Sequence, residues 1–151
     1  MSIPLVDGVV QWLHILAAAL AVGGVFFLRF VLCPSLKSLP PDQRGAEPQV
    51  LSPVARRFKM VVHSSIAVLI LTGVYRLIQT LPLVREWKSY HAVLGIKLLL
   101  ALALFTIAIA LTLPGSQPNY FQRNRDRWLS FNFILGALIL LLSAILRRMW
   151  N

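Results

Sequence analysis

The sequence predicts an all-α integral membrane protein, a four-helix bundle that crosses the bilayer four times. Three observations predict it. Hydrophobic residues make up 58% of the 151-residue chain and charged residues 13%, where a soluble domain carries about 25% charged residues. The mean hydropathy is +0.74, and five acidic residues are too few to cover the surface of a globule of this length. The apolar residues fall into four blocks, each near the length that crosses hydrocarbon. None alternates as a barrel strand does, so the helix, which satisfies its own backbone, is the spanning element.

The first span is expected over residues 9–33, interrupted by His14 and Arg29 and ended by Pro34 and the Pro40-Pro41 pair. Residues 34–52 are polar and proline-rich and read as an exposed connection. Ser52 followed by Pro53 has the form of a helix N-cap with proline at the first helical position. The second span then covers 57–81, with Arg56, Arg57 and Lys59 in its early turns and Pro82 after it. A short turn over 84–91 leads to a third span over 92–113, stopped by Pro114-Gly115. The polar loop 114–127 precedes a fourth span over 128–146, and all four form one membrane domain, 1–151. The stretch MSIPLVDGVVQWLHI has no basic region before its apolar run, so the first block is expected to stay as a helix.

The net charge of +10 does not point to nucleic acid. Most Lys and Arg residues lie between the apolar blocks, where topology and anionic lipids account for them. Eight flank the first and third connections (Lys37, Arg44, Arg56, Arg57, Lys59, Arg123, Arg125, Arg127), against four on the opposite side (Arg85, Lys88, Arg147, Arg148). The positive-inside rule then puts both termini on the non-cytoplasmic side of a plasma or inner membrane. The single cysteine, Cys33, excludes an intramolecular disulfide and any multi-cysteine metal site. Asp7, Asp42, Glu47, Glu86 and Asp126 all fall in tails or loops, and no glycine-rich phosphate loop occurs. Hydrolysis, nucleotide binding and paired-carboxylate chemistry have no support.

The informative residues are polar ones within the spans: His14, His63, Arg76 and Lys97, with His91 at a boundary. Ionisable groups are costly in hydrocarbon and face a helix interior or reach for the headgroups. Arg29 and Arg76 lie near span ends and can snorkel. Ala17, Ala18 and Ala21 share the helical face of His14, either as a tight helix contact or as room for a flat macrocycle whose metal the imidazole holds. Helical rise places His14 roughly 9 Å, Lys97 roughly 8 Å and His91 roughly 17 Å outward of their span centres. His63 falls on the cytoplasmic side, too far in depth to share an iron with His14. Lys97 serves as a base or ligand if neutral, pairs with a cofactor carboxylate if charged, or snorkels. Trp12, Trp87, Tyr90 and Trp150 read as an outer aromatic belt, with Trp128 at the inner boundary. Cys33, Met60 and His63 gather on the cytoplasmic side, with ligand softness that suits Cu(I).

The runs WLHILAAALAVGGVFFLRFVLCP and ARRFKMVVHSSIAVLILTGVYRL resemble the CopD-type membrane domain, named for copper resistance. The Trp-x-His start, the Gly-Gly pair before aromatics, the Arg-Arg-Phe run and Thr72-Gly73 carry the resemblance, which extends weakly through HAVLGIKLLLALAL. The chain is also somewhat similar to HemJ, a membrane family associated with protoporphyrinogen oxidation and haem b. That resemblance matches its essential histidine to His14 and its essential lysine to Lys97, which would then be catalytic. Where that family continues its first helix into a charged, histidine-containing segment, FLRFVLCPSLKSLPP stands here.

The expectation is therefore a membrane protein that binds haem b in its outer half, with a redox or haem-linked transport role. His14 is its first ligand, and His91 or another imidazole is a further one. Lys97 and Arg76 are cofactor contacts, and His63 is a metal-ligand candidate on the opposite side. The alternatives are porphyrinogen oxidation, copper passage through Cys33, Met60 and His63, and an accessory subunit of a larger membrane complex. Membrane lipids, a redox partner and a second copy of the chain are the expected partners.

Overall fold

The computed structural model describes residues 4–40, 42, 47–82, 88–112 and 120–150. Helix α1 (Pro4–Phe26) runs through a π-helical segment (Phe27–Leu32) into the short α2 (Cys33–Lys37). Helices α3 (Glu47–Thr80), α4 (Lys88–Thr112), α5 (Tyr120–Arg123) and α6 (Arg125–Trp150) follow. No strand occurs among the described residues. Four stretches are long and apolar enough to cross a membrane: Pro4–Lys37, Arg56–Thr80, Tyr90–Thr112 and Arg125–Arg148. The fold is all-α and of multi-pass membrane type. Large side chains such as Trp12, Leu71, Leu99 and Leu102 are exposed, as they should be where hydrocarbon is the solvent. Arg44, Arg85, Trp87 and Pro114-Gly115 lie outside the described residues, as does the side chain of Trp150. The expected single membrane domain is organised as two compact units, Met1–Leu69 and Ile70–Asn151.

In the first unit, two prolines expected to bound helices lie within them. Pro34 does not end the first span. Ahead of it the ladder widens to five-residue spacing, with the Cys33 N–H donating to the Leu28 carbonyl. The wider π turn gives the ring room and places the missing N–H where the bonding pattern is already changing. Ser35 Oγ donates to the Val31 carbonyl at 2.7 Å in the same turn. Pro53 likewise lies inside α3, which begins at Glu47. Ser52 is therefore not the N-cap, and helix takes both ends of the expected 34–52 connection. Pro53 forfeits a bond to the residue 49 carbonyl. Seen from Glu47 that loss falls in the second turn, and the helix continues through Thr80.

The α1–α3 pair closes on Gly24. A Cβ built there would meet the Phe58 ring, whose Cζ is 3.2 Å away. The connection between these helices is too short for a parallel return, so they run antiparallel. Ala17, Val25 and Leu28 are buried on one helix, and Val62, Ser65 and Ile66 on the other.

In the second unit α4 and α6 form an antiparallel hairpin. Tyr90 packs with Leu146 at one end, beside Val93 and Leu94. Further along, Leu104, Ile107 and Leu135 form a cluster with Leu100, Leu111, Trp128 and Ile139 around it. Asn124 joins α5 to α6: its amide donates to the Tyr120 carbonyl, and its own carbonyl accepts from Arg127 and Trp128. Tyr90, at the start of the crossing segment where the outer belt is expected, is 8% exposed and packs within the hairpin.

Asn132, on the buried face of α6, is 4% exposed, and its Oδ1 has no hydrogen-bond partner. An unmet buried carbonyl costs about 1–3 kcal/mol. Asn132→Leu is therefore expected to raise the thermal midpoint of the detergent-solubilised protein. A fall in the midpoint would show that Asn132 is paired in the assembled protein.

Candidate functional site

His14 lies in the first unit, half-buried in α1. Of the three alanines on its face, Ala17 is buried by protein at 6% exposure, while Ala18 and Ala21 are half-covered. The tight-contact reading therefore describes Ala17, and protein covers Ala18 and Ala21 only in part. One turn beyond, the structure brings together two of the motif elements, Gly24 of the Gly-Gly pair and Phe58 of Arg-Arg-Phe. In the π segment Arg29 stands over the Phe30 ring, 5.6 Å from its centroid, and Phe26 stacks on Phe30 at 5.2 Å.

The soft-ligand set is not gathered. Gly24 and Phe58 lie at one level. Cys33, nine residues past Gly24, continues about 13 Å along the axis. Met60 and His63 follow Phe58 on the returning helix and so move the other way, leaving roughly 16–20 Å between them and Cys33. Met60 and His63 do share a face of α3, where both are exposed. His63 Nδ1 donates to the Lys59 carbonyl at 2.8 Å. Among the described residues no group of three or more His, Cys, Asp or Glu side chains is placed to hold a metal ion.

The remaining candidates belong to the second unit. His91 is half-buried and meets the Tyr90 ring edge-on, with centroids 6.3 Å apart. Lys97 is also half-buried. It continues the stripe Tyr90, Val93, Leu94 at helical spacing, and Leu100, Leu104 and Ile107 extend that stripe into the hairpin core. Arg76, from the last turns of α3, is exposed. Two features escaped the sequence reading. Asn132 carries no charge to mark it, although it is a polar residue near the start of the fourth block. The Gly24–Phe58 contact had a signal in the two motifs, but neither names its partner.

No protein-family model, curated protein or solved structure matches the chain.

Proposed function

We propose that this membrane protein binds b-type haem through His14 and serves a redox or haem-linked transport role, as the CopD-type resemblance implies. The observation that carries the reading is the half-buried imidazole of His14 within a crossing helix, with Ala18 and Ala21 only half-covered on its face. The donor chemistry fits, since a neutral imidazole is a common axial ligand of haem iron. The alanines present no bulk against a planar ring. When bound, haem supplies one-electron exchange, while the chain supplies the ligand, the orientation and a low-dielectric surround. Lys97, in the second unit, is the catalytic candidate if the activity is porphyrinogen oxidation.

The test is purification of the full chain in mild detergent, followed by an absorption spectrum and metal analysis. A reduced b-type spectrum with iron supports the reading, and copper without haem or neither metal overturns it. Copper without haem would instead favour the soft-ligand alternative.

The Lys/Arg distribution supports a topology with both termini on the non-cytoplasmic side. Cysteines introduced singly near Lys37 or Arg123 in a Cys33→Ser background are expected to resist a membrane-impermeant thiol reagent applied to intact cells. Labelling at both positions would reverse the orientation.

A further inference from the structure

The turn from α5 into α6 carries Arg123, Arg125 and Arg127 at alternate positions, and its backbone is pinned. The Asn124 side-chain amide donates to the Tyr120 carbonyl at 3.2 Å. The Asn124 carbonyl accepts from the N–H groups of Arg127 and Trp128 at 3.1 and 3.2 Å. Arg123, Asn124, Arg125, Asp126 and Arg127 together line an open cavity of about 440 Å³, within the roughly 300–1,000 Å³ of small-ligand sites. Three guanidinium groups against one carboxylate leave that lining with a formal charge of +2. The planar guanidinium fork matches the oxygens of a phosphate. Next to this turn the Tyr120 ring meets Trp128 edge-on with centroids 6.1 Å apart, and Trp128 meets Phe131 edge-on at 5.9 Å. Tyr and Trp favour the headgroup level of a bilayer. The exposed Arg127 stands one helical turn before Phe131. Phe131 heads an exposed stripe at helical spacing that continues through Ile134, Leu138 and Leu141. From Phe131 to Leu141 the helix rises about 15 Å, half of the roughly 30 Å of hydrocarbon. The stripe has the length of one leaflet.

We propose that the α5–α6 turn holds the phosphate of an anionic glycerophospholipid in this cavity, with the acyl chains along the stripe from Phe131 to Leu141. The inference does not rest on the haem reading. A positive-inside topology needs only the charge of these arginines on one side of the membrane. A lipid site also needs them around one cavity at the head of an apolar stripe, as they are here. A free phosphate or an acidic peptide would use the guanidinium groups and leave the stripe without a role. Selectivity follows from the charge of the lining, which repels the ammonium of a zwitterionic headgroup and leaves a net-negative lipid favoured.

The experiment is native mass spectrometry of the full chain in mild detergent, with phosphatidylglycerol and phosphatidylcholine supplied at equal concentration. The wild type is expected to retain phosphatidylglycerol roughly tenfold better. Arg127→Gln alone should cut that preference about fivefold, and Arg123→Gln/Arg125→Gln/Arg127→Gln should abolish it. Arg147→Gln/Arg148→Gln, in the last turn at the other end of α6, should leave it in place. If the triple variant aggregates, Arg127→Gln carries the test, because that side chain is exposed. A preference that survives these losses would overturn the assignment. Equal loss in the Arg147/Arg148 variant would also overturn it, since the preference would then follow net charge alone. So would displacement of the lipid by millimolar inorganic phosphate, which would mark a site for the free anion.

Discussion

His14→Ala is expected to strip the haem while the protein remains folded and membrane-inserted. The substitution removes an axial ligand and leaves an apolar α1 that is still long enough to cross the bilayer. The decisive comparison is haem per folded protein in His14→Ala and His63→Ala, with monodispersity as the check on folding. The Gly24–Phe58 register brings His63 to within about 8 Å of the level of His14, closer than the sequence implies. But His63 is exposed on α3 and bonds within its own helix to the Lys59 carbonyl, so its loss should leave occupancy near the wild-type value. Full occupancy without His14 and loss without His63 would move the cofactor to the α3 surface. The spectrum adds the number of imidazoles. Two give a low-spin species with sharp reduced bands, and one leaves high-spin iron open to carbon monoxide.

Gly24→Val should destabilise the protein by about 1–3 kcal/mol, the usual cost of forcing extra carbons into a filled site. The added atoms would press on the edge of the Phe58 ring, and that half-buried ring must turn aside. A double-mutant cycle separates this contact from general damage. With Phe58→Ala in the background the valine should cost much less, giving a large coupling energy. Gly23 is the internal control, because nothing lies within 4 Å of a Cβ built there. Gly23→Ala should be neutral or stabilising by up to about 1 kcal/mol through helix propensity. Equal costs at the two glycines would show that the Gly24–Phe58 approach does not hold this pair of helices together.

The four crossings were legible because hydrocarbon thickness imposes one length on every span, and composition reports length directly. Helix ends were less legible at Pro34 and Pro53. A proline disfavours the turn before it, but whether that turn yields depends on what the chain does next. A π segment absorbed the first, and an earlier start at Glu47 absorbed the second. The soft-ligand set looked plausible because Cys33, Met60 and His63 share a side of the membrane. Sharing a side leaves depth open, and Cys33 lies on the opposite side of the Gly24–Phe58 level from Met60 and His63. Lys97 gives the opposite case. Its depth could be estimated from the sequence, but its place on the stripe facing α6 needed the Tyr90–Leu146 contact to fix the rotation of α4.

The π segment has a consequence for insertions and deletions. Leu28 and Leu36 are both buried although they are eight residues apart. An uninterrupted α-helix advances about 100° per residue and returns to the same face after seven. The widened turn holds the one residue that makes up the difference. Phe27–Leu32 is thus where the first crossing carries a spare position. A chain missing Phe30 or Val31, both exposed, can close the turn into ordinary α-helix and keep Leu28 and Leu36 in phase. The same loss between Ala17 and Val22 would swing His14 about 100° around the axis relative to Val25 and Leu28. Length variation in this helix is cheap at one turn and disruptive at the imidazole.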